Sequence, residues 1–131
     1  MPSFSAIVAP SGGNYTDINS AVAALAAGDS IWVKNGTYTG AVDVSKAVAV
    51  RCEAGCVFSH ASGFTISAAA MVTFGNGTSI TNALTISGAD AYCRALNGLD
   101  TGGMVVSGAR AFFDGGGWGT LFNGGTTRDG I

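Results

Sequence analysis

The sequence predicts an all-β fold, a single-stranded parallel β-helix of about four to five coils with a short capping helix at its N-terminal end. Two observations predict it. The first is an internal repeat. Gly63-Phe-Thr-Ile-Ser-Ala-Ala is followed 20 residues later by Ala83-Leu-Thr-Ile-Ser-Gly-Ala, and again by Gly103-Met-Val-Val-Ser-Gly-Ala, while Ala41-Val-Asp-Val-Ser-Lys-Ala lies 22 residues upstream. Four copies at this spacing are one coil each, because such a unit buries its apolar face only by stacking on its neighbours. The second is composition. Of the 131 residues 47% are hydrophobic and only 11% charged, and 21 are Gly. Disordered chains show the reverse, and a surface this poor in charge must be built from Gly, Ser, Thr and Asn.

The elements follow in chain order. Residues 1–14 form an N-terminal arm, apolar enough to add an extended strand to a partner's sheet, with a frayed terminus as the alternative. A capped β-helix covers 15–114. Its first element is a short helix from Asp17 towards Ser30: Thr16 or Asp17 is the N-cap, Ile18, Val22 and Leu25 share a face, and Gly28 is the stop. A solenoid end exposes core side chains and unpaired strand edges, and this helix is the natural cap. Ile31-Trp-Val then begins a strand that ends at the Asn35-Gly36 turn. In each later coil a first apolar run meets a small-residue corner and a second run. The second runs are Ala47 to Cys52, Ala70 to Phe74, Ala91 to Ala95 and Ala111 to Asp114, all of strand length and bounded by turn residues. Residues 115–131 are Gly-rich but carry Trp118, Leu121 and Phe122, which require burial, most simply against other copies of the chain.

In register, Val44, Ile66, Ile86 and Val106 form one column, followed by a corner column of Ser45, Ser67, Ser87 and Ser107. The same register sets Asp90 against Arg110 and Arg94 against Asp114, two opposite-charge pairs on adjacent coils about 4.8 Å apart. Between them Tyr92 and Phe112 stack. The inward face is ambiguous. Even positions (Val48, Val50, Cys52; Ala70, Val72, Phe74) read as core in two coils, and odd positions (Ala91, Cys93; Ala111, Phe113) in the next two. On that reading Tyr92 and Phe112 point outward, towards an intersubunit contact.

A family resemblance enters at the N-terminal segment. Ile18, Ala21, Gly28, Asp29, Ile31, Val33, Gly36 and Tyr38 match an Ile-x-x-Ala helix, a Gly-Asp-x-Ile-x-Val strand and a Gly-x-Tyr turn. This pattern resembles the opening of the pectate-lyase-like superfamily, and the resemblance implies a right-handed β-helix. A short β-helix of this kind that trimerises resembles the tailspikes, tail fibres and head-decoration proteins of tailed bacteriophages. Fold alone implies no activity.

Chemistry is sparse along the chain. The carboxylates are Asp17, Asp29, Asp43, Glu53, Asp90, Asp100, Asp114 and Asp129. No two of the Asp share a column in adjacent coils, as a glycosidase pair across a groove requires, and no cluster supplies six to eight oxygens for Ca²⁺. His60 is the only His, too few for a zinc site, and reads as a corner residue. Cys52 and Cys56 have neither redox nor zinc spacing; a local disulfide and two buried thiols are both open, and Cys93 reads as a small core residue. Gly115-Gly-Gly lacks the Lys and helix of a phosphate loop. Asn14, Asn35 and Asn76 head glycosylation sequons but read as turn residues. Catalytic and metal residues are thus none, no cofactor is expected, and the chain is not expected to be an enzyme.

Six basic against eight acidic residues make no nucleic-acid patch, and no apolar run reaches the length of a membrane span. The N-terminus lacks the basic region of a signal peptide, so synthesis in a host bacterial cytoplasm is expected. The function expected is that of a virion structural protein: a capsid-decoration knob, homotrimeric and bound to the major capsid protein or another virion protein. A tail fibre or tailspike module that binds host surface glycans is the alternative, with Trp32, Tyr38, Trp118 and Phe122 as stacking surfaces. A small polysaccharide lyase or hydrolase is the second alternative.

Overall fold

In the computed structural model, which describes residues 5–96 and 99–114, the chain winds as a parallel β-solenoid of about five turns with one short helix. The strands are β1 (Ala6–Val8), β2 (Ser30–Val33), β3 (Thr37–Tyr38), β4 (Val42–Val44), β5 (Ala49–Cys52), β6 (Val57–Phe58), β7 (Phe64–Ile66), β8 (Met71–Phe74), β9 (Ser79–Ile86), β10 (Tyr92–Ala95), β11 (Asp100–Val106) and β12 (Phe112–Asp114). Helix α1 (Ile18–Ala24) lies between β1 and β2. One six-stranded sheet runs β1-β2-β5-β8-β10-β12. The other runs β3-β6-β9-β7-β4, with β11 added to β9. All pairings are parallel, and the column Val44–Ile66–Ile86–Val106 is in register as the repeat predicts.

The interior is filled in columns. Ile31, Val50, Val72, Cys93 and Phe113 stack down the first sheet, all 3% exposed or less. Stacked coils of mostly Ala, Val and Ser would by themselves enclose a thin core. The structure instead holds an aromatic cluster: the Phe58 ring packs edge-on against Phe64 at 5.0 Å, Phe64 against Phe74 at 5.0 Å, and Tyr38 stacks on Phe58 at 5.6 Å. These rings sit where the two sheets converge, and their packing adds geometry-specific attraction to area burial. Tyr38 keeps its hydroxyl satisfied by donating to the Lys34 carbonyl at 2.5 Å, with the Val8 carbonyl at 3.2 Å. Burial raises its pKa well above the ordinary phenol range.

The N-terminal end is closed by the chain itself. Residues 6–8 of the arm pair with β2, so the strand addition expected towards a partner occurs within the chain. Along the outer edge of β1, the Ile7 N–H donates to Asn14 Oδ1 at 2.8 Å, and the Ile7 carbonyl accepts from the backbone of Asn14 and Tyr15. Helix α1 closes the edge of β4: Asn19 Oδ1 accepts the Asp43 N–H at 2.8 Å. Asp17 is its N-cap, accepting from Ser20. The helix ends at Ala24, four residues before Gly28. Gly28 instead occupies the following turn at φ 93°, and Lys46 Nζ donates to the Ala23 and Leu25 carbonyls. A cation there satisfies carbonyls that the helix cannot.

The corners after the Ser column explain the alternating core parity. In the first two, Val48 N–H donates to Lys46 O and Ala70 N–H to Ala68 O, turns that span two residues. In the next two, Ala91 N–H donates to Gly88 O and Ala111 N–H to Gly108 O, turns one residue longer. The additional residues are Asp90 (φ 63°) and Arg110 (φ 60°). One residue more in a corner moves every later side chain to the opposite face, so the core shifts from even to odd positions. Tyr92 and Phe112 accordingly face outward.

At these corners the coils touch through backbone. A Cβ on Gly88 would come within 2.6 Å of the Ala68 nitrogen, and one on Gly108 within 2.6 Å of the Gly88 carbonyl carbon. Gly88→Ala is therefore expected to destabilise the chain by about 1–3 kcal/mol through overpacking. Gly40→Ala, where a Cβ meets nothing within 4 Å, is expected to be close to neutral. Urea midpoints of the two variants check this, and equal midpoints would contradict the close corner approach.

Candidate functional site

The outer face of the first sheet gathers most of the residues singled out in the sequence. Alternation along β2, β5, β8, β10 and β12 sends one set of side chains inward and leaves two parallel columns outside. One column runs Ser30, Ala49, Met71, Tyr92, Phe112, and the other Ile7, Trp32, Arg51, Thr73, Arg94, Asp114. The first column grows more apolar along the stack. Met71 is 54% exposed, and the half-buried Tyr92 and Phe112 rings lie parallel with centroids 5.6 Å apart. Among the described residues the exposed large hydrophobics are Met71 and Leu96, and Met71 belongs to this ladder.

The flank of the ladder is charged. Arg110 grips Asp90 through both ends of its guanidinium, Nε to Oδ1 at 2.6 Å and Nη2 to Oδ2 at 2.9 Å. The hydrogen bond from Arg110 holds the Asp90 carboxyl below the usual carboxylate range, and Asp90 in turn raises the guanidinium. Both side chains stay more than half exposed, so the pair fixes corner geometry more than it adds stability. Arg94 stands in register with Asp114 on the neighbouring strand. The expected Trp118, Leu121 and Phe122 contacts, with the Gly-rich segment 115–131, lie outside the described residues.

Across the C-terminal ends of β2, β5 and β8 a groove of about 450 Å³ is lined by Trp32, Arg51, Glu53, Thr73, Asn76 and Leu96. Its charges are organised from below: Glu53 accepts from Trp32 Nε1 at 3.0 Å and from the Asn35 N–H at 2.8 Å. Sequence reading named Trp32 but missed the groove, because Glu53 sits in a turn whose partners come from the preceding coil.

Three other carboxylates have structural partners. Asp17 caps α1, Asp29 accepts the Ala26 N–H, and Asp43 accepts the Ser67 hydroxyl at 2.6 Å. His60 is a turn residue whose Nδ1 accepts the Ser62 N–H at 2.9 Å. Cys52, Cys56 and Cys93 are free and buried. Burial pushes the Cys93 thiol well up. Asn14, Asn35 and Asn76 all lie in turns or bends. Among the described residues no group of three or more His, Cys, Asp or Glu gathers where a metal ion could be held, and no helix is long and apolar enough to cross a membrane. No family model, no curated protein and no solved structure matches the chain.

The Asp90–Arg110 pair has a defined pH response. Its carboxyl is depressed in the folded state, so the stabilisation is full above the unfolded carboxylate pKa and lost as pH falls through the folded value. Wild type is expected to resist urea better than Arg110→Ala at neutral pH, with the gap closing at about pH 2 and narrowing in about 1 M salt. A gap independent of pH and salt would show that the two side chains do not interact in solution.

Proposed function

We propose that this chain is a structural rather than catalytic protein, a capsid-decoration module of a bacteriophage virion. Three copies associate through the outer face of the first sheet into a knob seated on the major capsid protein or another virion protein. The observation that carries the reading is the Met71–Tyr92–Phe112 ladder. A flat apolar strip on an otherwise Gly-, Ser- and Thr-rich surface is the composition of a subunit contact. The self-closed N-terminal end supports a discrete module rather than a filament, because strand addition at β1 is blocked. Most of the acidic side chains are spent on caps, turns and ion pairs, which supports a structural role. In solution the protein is expected to have about three times the monomer mass by light scattering. Changing Met71 and Tyr92 together to Lys is expected to yield a folded monomer, by circular dichroism and mass. A monomeric wild type would overturn the reading.

The groove at Trp32 favours a second reading, a receptor-binding module for host glycans. An indole beside Arg51, Glu53 and Asn76 combines an apolar platform with hydrogen-bonding groups, as saccharide rings require. On this reading Trp32→Ala abolishes retention on host-derived polysaccharide while leaving oligomeric mass unchanged. Equal retention of wild type and variant would count against it.

A further inference from the structure

Among the described residues, the groove across the ends of β2, β5 and β8 has one basic side chain, Arg51. It is exposed and makes no ion pair or hydrogen bond with any described residue. The Thr73 hydroxyl and the Asn76 side-chain amide, also in the lining, are equally unengaged there. Arg51, Thr73 and Arg94 are register neighbours on the outer column, so an arginine stands one strand spacing, about 4.8 Å, to either side of the threonine. Arg94 is exposed too and makes no ion pair or hydrogen bond among the described residues, although Asp114 follows it in register. By contrast, Lys46 is taken up by carbonyls at the end of α1, and Arg110 by Asp90.

Glu53 is the acid of the groove. One of its oxygens accepts from Trp32 Nε1 at 3.0 Å and the other from the Asn35 N–H at 2.8 Å. Neutral donors of the preceding coil therefore orient the carboxylate, and Arg51 is left to a ligand. Each Glu53 oxygen keeps a further lone pair that can accept from a hydroxyl.

From this pattern we infer that the groove takes an acidic saccharide, a chain carrying uronic or sialic acid units, an assignment that rests on the groove being the saccharide site of the second reading above. Arg51 binds the carboxylate of a ring lying beside the Trp32 indole, a charge-assisted contact stronger than a neutral hydrogen bond. Glu53, Thr73 and Asn76 bond the ring hydroxyls. Arg94 lies two strand spacings from Arg51, about 9.6 Å, a distance that two linked sugar rings span, and meets a second carboxylate along the chain. The protein as a whole has a net charge of -2, so its overall field does not gather polyanions, and the attraction comes from this strip. Glu53 sharpens the choice: it accepts from hydroxyl-rich rings and repels a phosphate backbone, which argues against single-stranded nucleic acid as the occupant.

The test is isothermal titration of the full chain with oligosaccharides of alginate, hyaluronate and polysialate, each beside a carboxyl-reduced counterpart that carries no charge. In about 0.15 M salt at least one acid form is expected to bind about tenfold or more tightly than its reduced form, and the gap is expected to shrink in about 1 M salt. Arg51→Gln is expected to bring the acid form down to the level of the reduced one, and Arg94→Gln to weaken it in part. Both side chains are exposed, and circular dichroism checks that the variants fold. Equal binding of acid and reduced forms would overturn the inference, and loss of both in Trp32→Ala would then leave the saccharide site standing. Acid binding untouched by Arg51→Gln would overturn it as well, as would tighter binding of oligodeoxythymidylate than of any acid form. Binding of no form at all would overturn it too, and the saccharide reading falls with it only if wild type and Trp32→Ala are also retained equally on host-derived polysaccharide.

Discussion

Everything in this molecule depends on parallel, in-register stacking of successive coils. Each strand must land beside its counterpart one turn earlier with the same face inward, because side chains alternate along a strand and only one face is apolar. A coil that gains or loses one residue must absorb the change in a corner. Here the longer corners do so at Asp90 and Arg110. Both adopt a left-handed φ that residues other than Gly rarely take, and the two side chains pair across the coils. The ion pair and the unusual backbone are one device: it permits a change of parity in the strand that follows.

The same constraint shapes the surface. Because β10 and β12 are shifted in parity together, Tyr92 and Phe112 meet outside in a parallel stack, while Cys93 and Phe113 take the core positions. The ladder with Met71 is therefore a product of corner length as much as of local hydrophobicity. At the N-terminal end, Asn14, Tyr15 and α1 satisfy or cover the strand edges, which removes the template for edge-to-edge association.

The groove and two buried cysteines share one turn. Glu53, held by the Trp32 indole and the Asn35 amide, forms the groove wall above, and Cys52 and Cys56 flank Glu53-Ala54-Gly55 below.

By itself the amino-acid sequence determined the solenoid, its 20-residue period, the Val44–Ile66–Ile86–Val106 column, the capping helix and the pairing of Asp90 with Arg110. All of these follow from translation by one coil, and a repeat written in the chain displays translation directly. Tertiary structure settled the core face of β10 and β12, where the sequence left the inward face open. That depends on whether a corner residue takes positive φ, and neither Asp90 nor Arg110 announces this as a Gly would. It also decided that the arm pairs with β2, that Phe58, Phe64 and Phe74 meet in one cluster, and that Glu53 is held by Trp32 and Asn35. These contacts join residues with no common column or period, so only the closed path of the chain brings them together.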